Sequence, residues 1–225
     1  NDFRAVFAVA IIPAVLCVLL LVLGVQEPER PAGAPRVNPI SQASLQRLPR
    51  AYWWVVGVGA VFTLARFSEA FLVLRAEQVG IALALVPLVM VAMNAVFSVT
   101  AYPFGKLSDR VSHRRLLLAG LAVLVLADVV LAASTHWTGL LLGVALWGVH
   151  MGMTQGLLAA MVADTAPADL RGTAYGFFNL MSGLAMLAAS VVAGLLWQYW
   201  GPAWTFGAGA MFSAVAMAAL LWRRG

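Results

Sequence analysis

The sequence predicts an all-α polytopic membrane protein with seven transmembrane helices. Three observations predict it. Hydrophobic residues make up 63% of the 225 and charged residues 10%, whereas soluble domains carry roughly a quarter charged. A single soluble core cannot hide that much apolar surface, so lipid is the natural solvent. The apolar residues fall into seven runs, each near the length of about 20 residues that takes a helix across a bilayer. The basic residues collect in alternate connections between those runs, the pattern that orients spans in a membrane. The net charge of +5 is spread over these connections rather than gathered into a patch, so no nucleic-acid partner is expected.

The first run, Phe3–Val25, is too long for the core of a signal peptide and contains Pro13; it reads as a span. No Met precedes it, and the start at Asn1 is expected to be a cut or processed end of a longer protein. The second run is Ala51–Leu74. The third, Ile81–Tyr102, holds Pro87 in its middle, where a kink is expected. The fourth, fifth and seventh are Leu116–Ala133, Leu140–Ala163 and Ala203–Trp222. The sixth, Thr173–Tyr199, opens on the GxxxG of Gly172 and Gly176, and Gly183, Ala185, Ala189 and Gly194 extend its small residues. Such spacing lets helices approach closely, and packing within the bundle is expected of it. Barrel strands would be shorter and would alternate apolar with polar residues. The Pro-rich connection Gln26–Arg50 is the longest and divides the spans one plus six. The expected parts are therefore 1–25, 26–50 and 51–225.

Arg30, Arg36, Arg47 and Arg50 lie in that long connection, Lys106, Arg110, Arg114 and Arg115 after the third span, Arg171 before the sixth, and Arg223 and Arg224 at the C-terminus. The intervening turns hold only Arg75. The expected orientation is N-terminus outside and C-terminus inside. Trp137, Trp197, Tyr199, Trp200 and Trp204 fall near the outer ends, and Tyr52, Trp53, Trp54 and Trp222 near the inner ends, as interfacial belts do. Cys17 is the one cysteine and lies in an apolar run. No disulfide, metal site or cofactor is expected.

The loop Gly105-Lys-Leu-Ser-Asp109-Arg110-Val-Ser-His-Arg114-Arg115 resembles the G-x-L-a-D-R-x-G-R-R signature of the major facilitator superfamily, with Ser112 and His113 in place of the usual Gly and Arg. It sits where the second copy of that signature falls, between helices eight and nine. The segment Asp164-Thr-Ala-Pro167-Ala-Asp169-Leu-Arg171-Gly172 looks like the link between helices ten and eleven. The resemblance covers the chain as helices six to twelve. It implies one helix of an N-terminal half (1–25), a cytoplasmic linker (26–50) and a C-terminal six-helix domain (51–225). It also implies a bacterial cytoplasmic (inner) membrane location, with the N-terminal half of the same transporter, the lipid bilayer, a small-molecule substrate and a proton or other coupling ion as partners. Gly105, Asp109, Arg110, Arg114 and Arg115 are then a gating latch toward the opposite half. Locally, Gly105 suits close packing of a helix end, and Asp109 suits hydrogen bonds from N–H groups at a helix start. The alternative is that the arginines only anchor topology.

Ionisable residues at membrane depth cost roughly 2.5–3.5 kcal/mol on insertion scales and mark function by default. Arg66 and Glu69 are three apart in the second span and are expected on one helix face, with Gly59, Phe62 and Val73. The readings are a substrate contact by Arg66 and ion coupling by Glu69, or a structural ion pair. Asp128 has no partner on its own span; it is expected near the outer interface, solvated, with a lesser claim to coupling. His150 is mid-span, shares a face with Trp147, Met151 and Thr154, and either exchanges protons near neutral pH or is a satisfied core histidine. Trp147 and Gln155 are implied cavity contacts because the resembled helix borders the cavity. Asn94 and Asn179 read first as packing amides, Asn179 with the better claim to the cavity.

The expected function is secondary active transport, with proton-coupled export of small organic molecules first and an ion-coupled importer of a small metabolite as the alternative. No nucleotide-binding P-loop is present. A seven-helix receptor fits the span count, but a retinal protein needs a lysine in its last helix, and Lys106, the one lysine, lies in a loop. An intramembrane enzyme needs a nucleophile–base pair or carboxylate dyad at one depth. The deep acids Glu69 and Asp128 lie on different spans, and G-x-S-x-G and H-E-x-x-H are absent.

Overall fold

The computed structural model describes residues 3–25 and 42–222. Arg30, Arg36, Arg223 and Arg224 fall outside the described residues, as does the side chain of Trp222. The chain divides into two compact units, Asn1–Asn38 and Pro39–Gly225. The first contains helix α1 (Phe3–Gly24), with Pro13 inside it and exposed leucines and valines along its length.

The second unit contains α2 (Gln42–Gln46), α3 (Arg50–Ala65), α4 (Ala70–Gln78), α5 (Val86–Ser108), α6 (His113–Ala133), α7 (Trp137–Thr165), a 3₁₀ turn at Ala168–Leu170, α8 (Arg171–Trp200) and α9 (Pro202–Trp222). The described residues contain no strand. Among the described residues, seven stretches are long and apolar enough to cross a membrane, with α3 and α4 together forming one of them. The protein is thus an all-helical, multi-pass membrane protein. The most extensive packing joins α5 to α7, α6 to α7 and α6 to α9, followed by α3 to α8.

In lipid, helices gain little from burying apolar surface and are held by dispersion at close fits and by interhelical hydrogen bonds. The close fits lie mainly along α7. A Cβ added at Gly148 would come within 2.6 Å of the Met93 carbonyl oxygen on α5, and one at Gly152 would lie 3.1 Å from the Ala101 nitrogen. The expectation for the GxxxG of α8 is corrected: Gly172, Gly176 and Gly183 face open space, with nothing within 4 Å of an added Cβ. On α8 the small residue of that stripe that packs is Ala189, in the buried core, while Gly148 and Gly152 form a tightly packed GxxxG on α7.

Five further expectations are corrected. Pro87 sits in the first turn of α5, because that helix starts at Val86; there the missing N–H costs nothing. Pro103 is the proline inside α5. Tyr52 is no lipid-facing anchor: it is fully buried and donates its hydroxyl to the Ala174 carbonyl at 3.0 Å. Asn94 bonds the Met90 carbonyl of its own helix at 2.8 Å rather than bridging helices. Gly105 also faces open space, and Asp109 follows the end of α5 without capping α6.

Two arginines complete helix C-termini, where carbonyls lack intrahelical partners and a cation suits the dipole. Arg114 donates to Leu220 O at 2.6 Å and Leu221 O at 3.1 Å at the end of α9. Arg75 donates to Leu131 O at 3.3 Å and also to Ser134 O, at the end of α6. This explains the one arginine in the connections that lack other basic residues. Arg75→Ala is expected to lower stability by about 1–2 kcal/mol, since it strands carbonyls that are partly buried. A thermal melt in detergent checks this, and Arg75→Lys is expected to recover part of the loss.

Candidate functional site

The second span is not one helix. It breaks at residues 66–69, where Arg66 is extended (φ −117°, ψ 104°) and α4 restarts at Ala70. No Gly or Pro occupies the break. Its stabilising contacts come from serines: Ser68 N–H donates to Ser190 Oγ of α8 at 3.2 Å, and Ala70 N–H donates to Ser68 Oγ at 3.3 Å. Serine hydroxyls compete with the helical ladder in this way, and irregular backbone at membrane depth is tolerated only when buried in protein or lining a cavity. The expectation that Arg66 and Glu69 share a helix face is therefore corrected. Their electrostatic interaction survives, but the sole ion pair within 4 Å among the described residues is Arg47–Asp169 at 2.6 Å.

The break places Arg66 at the edge of a cleft of about 240 Å³ between α3, α7 and α8. Gln155 of α7 and Asn179 of α8 line the same cleft. Three of the sequence-derived site residues therefore converge from three helices. The sequence reading missed Thr63, Tyr175, Phe178 and Ser182, which also line it. Their signal was present, because 175, 178, 179 and 182 repeat at helical spacing and Thr63 precedes Arg66 by one turn. Several hydroxyls are already engaged: Thr63 donates to Gly59 O, Thr154 to His150 O, each at 2.8 Å, and Tyr175 to Ala159 O at 2.8 Å. A second hollow of about 540 Å³ between α5 and α7 is lined by Gly105, Ser108 and Gly152, and Gln155 borders both.

Other candidates lie elsewhere. His150 is fully buried; its Nδ1–H donates to the Gly120 carbonyl at 2.8 Å, and its ring stacks on Phe62 with centroids 5.3 Å apart. It clamps α7 to α6 and does not line the cleft. Trp147 is fully buried against Phe67, with ring centroids 5.5 Å apart. Glu69 is half-buried at the start of α4 and outside the cleft lining. Asp128 is not solvated at an interface: it is 0% exposed. It lies where a Cβ on Gly209 of α9 would come within 2.6 Å of Oδ2 and 2.8 Å of the Phe67 ring. Neither of its oxygens has a hydrogen-bond partner among the described residues. Asp109, Arg110, Arg114 and Arg115 are exposed, and of these Arg114 alone is tied into the bundle, through the end of α9.

Residues 58–225 match the sequence profile of the Major Facilitator Superfamily. The chain is 30% identical over 220 residues to an uncharacterized MFS-type transporter of Methanocaldococcus jannaschii, covering 95% of this chain and 54% of that protein. It is 34% identical over 107 residues to the class B tetracycline resistance protein of Escherichia coli, covering 47% of this chain and 26% of that one. Among solved structures, an auto-inhibited POT family peptide transporter superposes with a TM-score of 0.59 at 19% identity, over 77% of this chain and 37% of that one. The chain spans about half the length, or less, of the curated relatives it matches.

Proposed function

The chain belongs to the major facilitator superfamily, and from that premise we propose that it acts as the C-terminal half of a proton-coupled secondary transporter that exports small organic molecules. One observation carries the reading: a helix broken at membrane depth brings Arg66, Gln155 and Asn179 to one cleft. Transporters place sites near the midplane on such discontinuous helices. In this reading residues 1–25 are the last helix of the N-terminal half, 26–50 the cytoplasmic linker and 51–225 the second half. The N-terminus lies outside and the C-terminus inside a bacterial cytoplasmic membrane. The outward-facing small residues Gly105, Gly172, Gly176 and Gly183 support a second bundle docking along α5 and α8. The Gly105–Arg115 loop is then the latch against it.

Glu69 is the proposed coupling acid, since it sits in the break beside Arg66 and interacts with it electrostatically. In vesicles carrying the full-length transporter, Glu69→Gln is expected to cut gradient-driven flux about tenfold, a barrier change of about 1.4 kcal/mol. Solute exchange without a gradient is expected to persist. Unchanged gradient-driven flux would remove Glu69 from coupling.

A further inference from the structure

We infer that the cleft at the α3–α4 break recognises a small organic anion, a carboxylate or phosphate carried on a partly apolar body. This deepens the transport reading and rests on it. The reason is a count of donors and acceptors left open in the cleft. Arg66 is the one charged residue among the lining side chains. Its guanidinium makes no hydrogen bond among the described residues, and no described carboxylate lies within 4 Å of it. The hydroxyl protons of Thr63, Thr154 and Tyr175 are already donated to backbone carbonyls. The donors that remain open are Arg66, the amides of Gln155 and Asn179, and the Ser182 hydroxyl.

A guanidinium offers five N–H donors and no acceptor, and each amide adds two donors. That set is rich in donors, and its one positive charge has no described carboxylate within ion-pair distance. A neutral ligand leaves the guanidinium unpaired at membrane depth, which is costly. A carboxylate or phosphate answers it with a forked pair of charge-assisted hydrogen bonds, the geometry for which arginine is suited. The amides then have acceptor oxygens to bind, and the rings of Phe62 and Phe178 offer an apolar wall for the rest of the ligand. Glu69 does not compete for this role, because it lies outside the lining and beyond ion-pair distance.

The test is binding by the purified full chain in maltoside micelles free of phosphate and lipid headgroups. Three probes of similar shape are used: benzoate, phenyl phosphate and neutral benzamide. At least one anion is expected to bind about tenfold more tightly than benzamide, about 1.4 kcal/mol, and the better of the two identifies the headgroup. Arg66→Gln is expected to abolish that preference, and Arg66→Lys to keep part of it, which separates lost charge from lost folding. The inference is overturned if benzamide binds as well as both anions, if Arg66→Gln keeps the preference, or if neither anion binds saturably. Anion binding without solute flux by the full-length transporter leaves this assignment standing and removes the transport reading. Flux of uncharged solutes indifferent to Arg66 does the reverse.

Discussion

Gly148→Val is expected to destabilise the fold by about 3 kcal/mol, while Gly176→Val changes stability by no more than about 0.5 kcal/mol. Both are the second or first glycine of a GxxxG at helical spacing, and sequence alone does not rank them. The difference lies in what each faces. An added Cβ at Gly148 meets the Met93 carbonyl oxygen at 2.6 Å and Val96 Cβ at 3.0 Å. The first is backbone and cannot rotate away, so α5 and α7 must separate. Separation forfeits dispersion contacts along the most extensive interface of the bundle. At Gly176 nothing lies within 4 Å, and the side chain enters open space. In thermal melts the first variant is expected to lose roughly 6–12 °C. Equal losses at the two positions would show that α8 is packed on its glycine face as tightly as α7. In the proposed two-half transporter, Gly176→Val is expected to impair flux without lowering the melting temperature of this chain.

Asp128→Asn is expected to stabilise the protein at neutral pH by about 1–3 kcal/mol. Folding takes this carboxylate from water to a site with no exposure and no hydrogen-bond partner on either oxygen. Asparagine matches its shape against Gly209 and Phe67 and carries no charge. An unpaired charge at such depth costs more than an unpaired amide, and no described neighbour offsets it. The measurement is the melting temperature of both proteins in the same micelles. A loss rather than a gain would show that the carboxylate is paired in the folded protein. A gain accompanied by lost transport in the full-length protein would mark Asp128 as kept for function at the expense of stability.

The membrane class, the span count and the span positions were legible in the sequence. They depend on summed apolarity over windows of about 20 residues, and such sums need no knowledge of neighbours. The loop from Gly105 to Arg115 was sufficient to reach the superfamily, because residue order in a tight loop is a local property. Arg66, Gln155 and Asn179 were legible as polar residues in apolar runs, which are costly and so stand out. Their convergence was not legible, since it needs three helices and a break.

The break itself was hidden because Ser68 is helix-compatible on its own; Ser190, 122 residues away, supplies the partner that makes the interruption stable. Asp128 was misplaced, and the two readings of His150 were left open, for the same reason. Each looks like an isolated polar residue on an apolar helix. Only packing decides that one meets Gly209 and Phe67 without a hydrogen bond while the other meets the Gly120 carbonyl. The sequence by itself determined that this chain lives in lipid and where it crosses. Tertiary structure alone decided which glycines carry close contacts, which span is broken and which polar groups share a cleft. The physical reason is that transfer into lipid is additive along the chain, whereas close packing and hydrogen-bond pairing are properties of atoms brought together from distant positions.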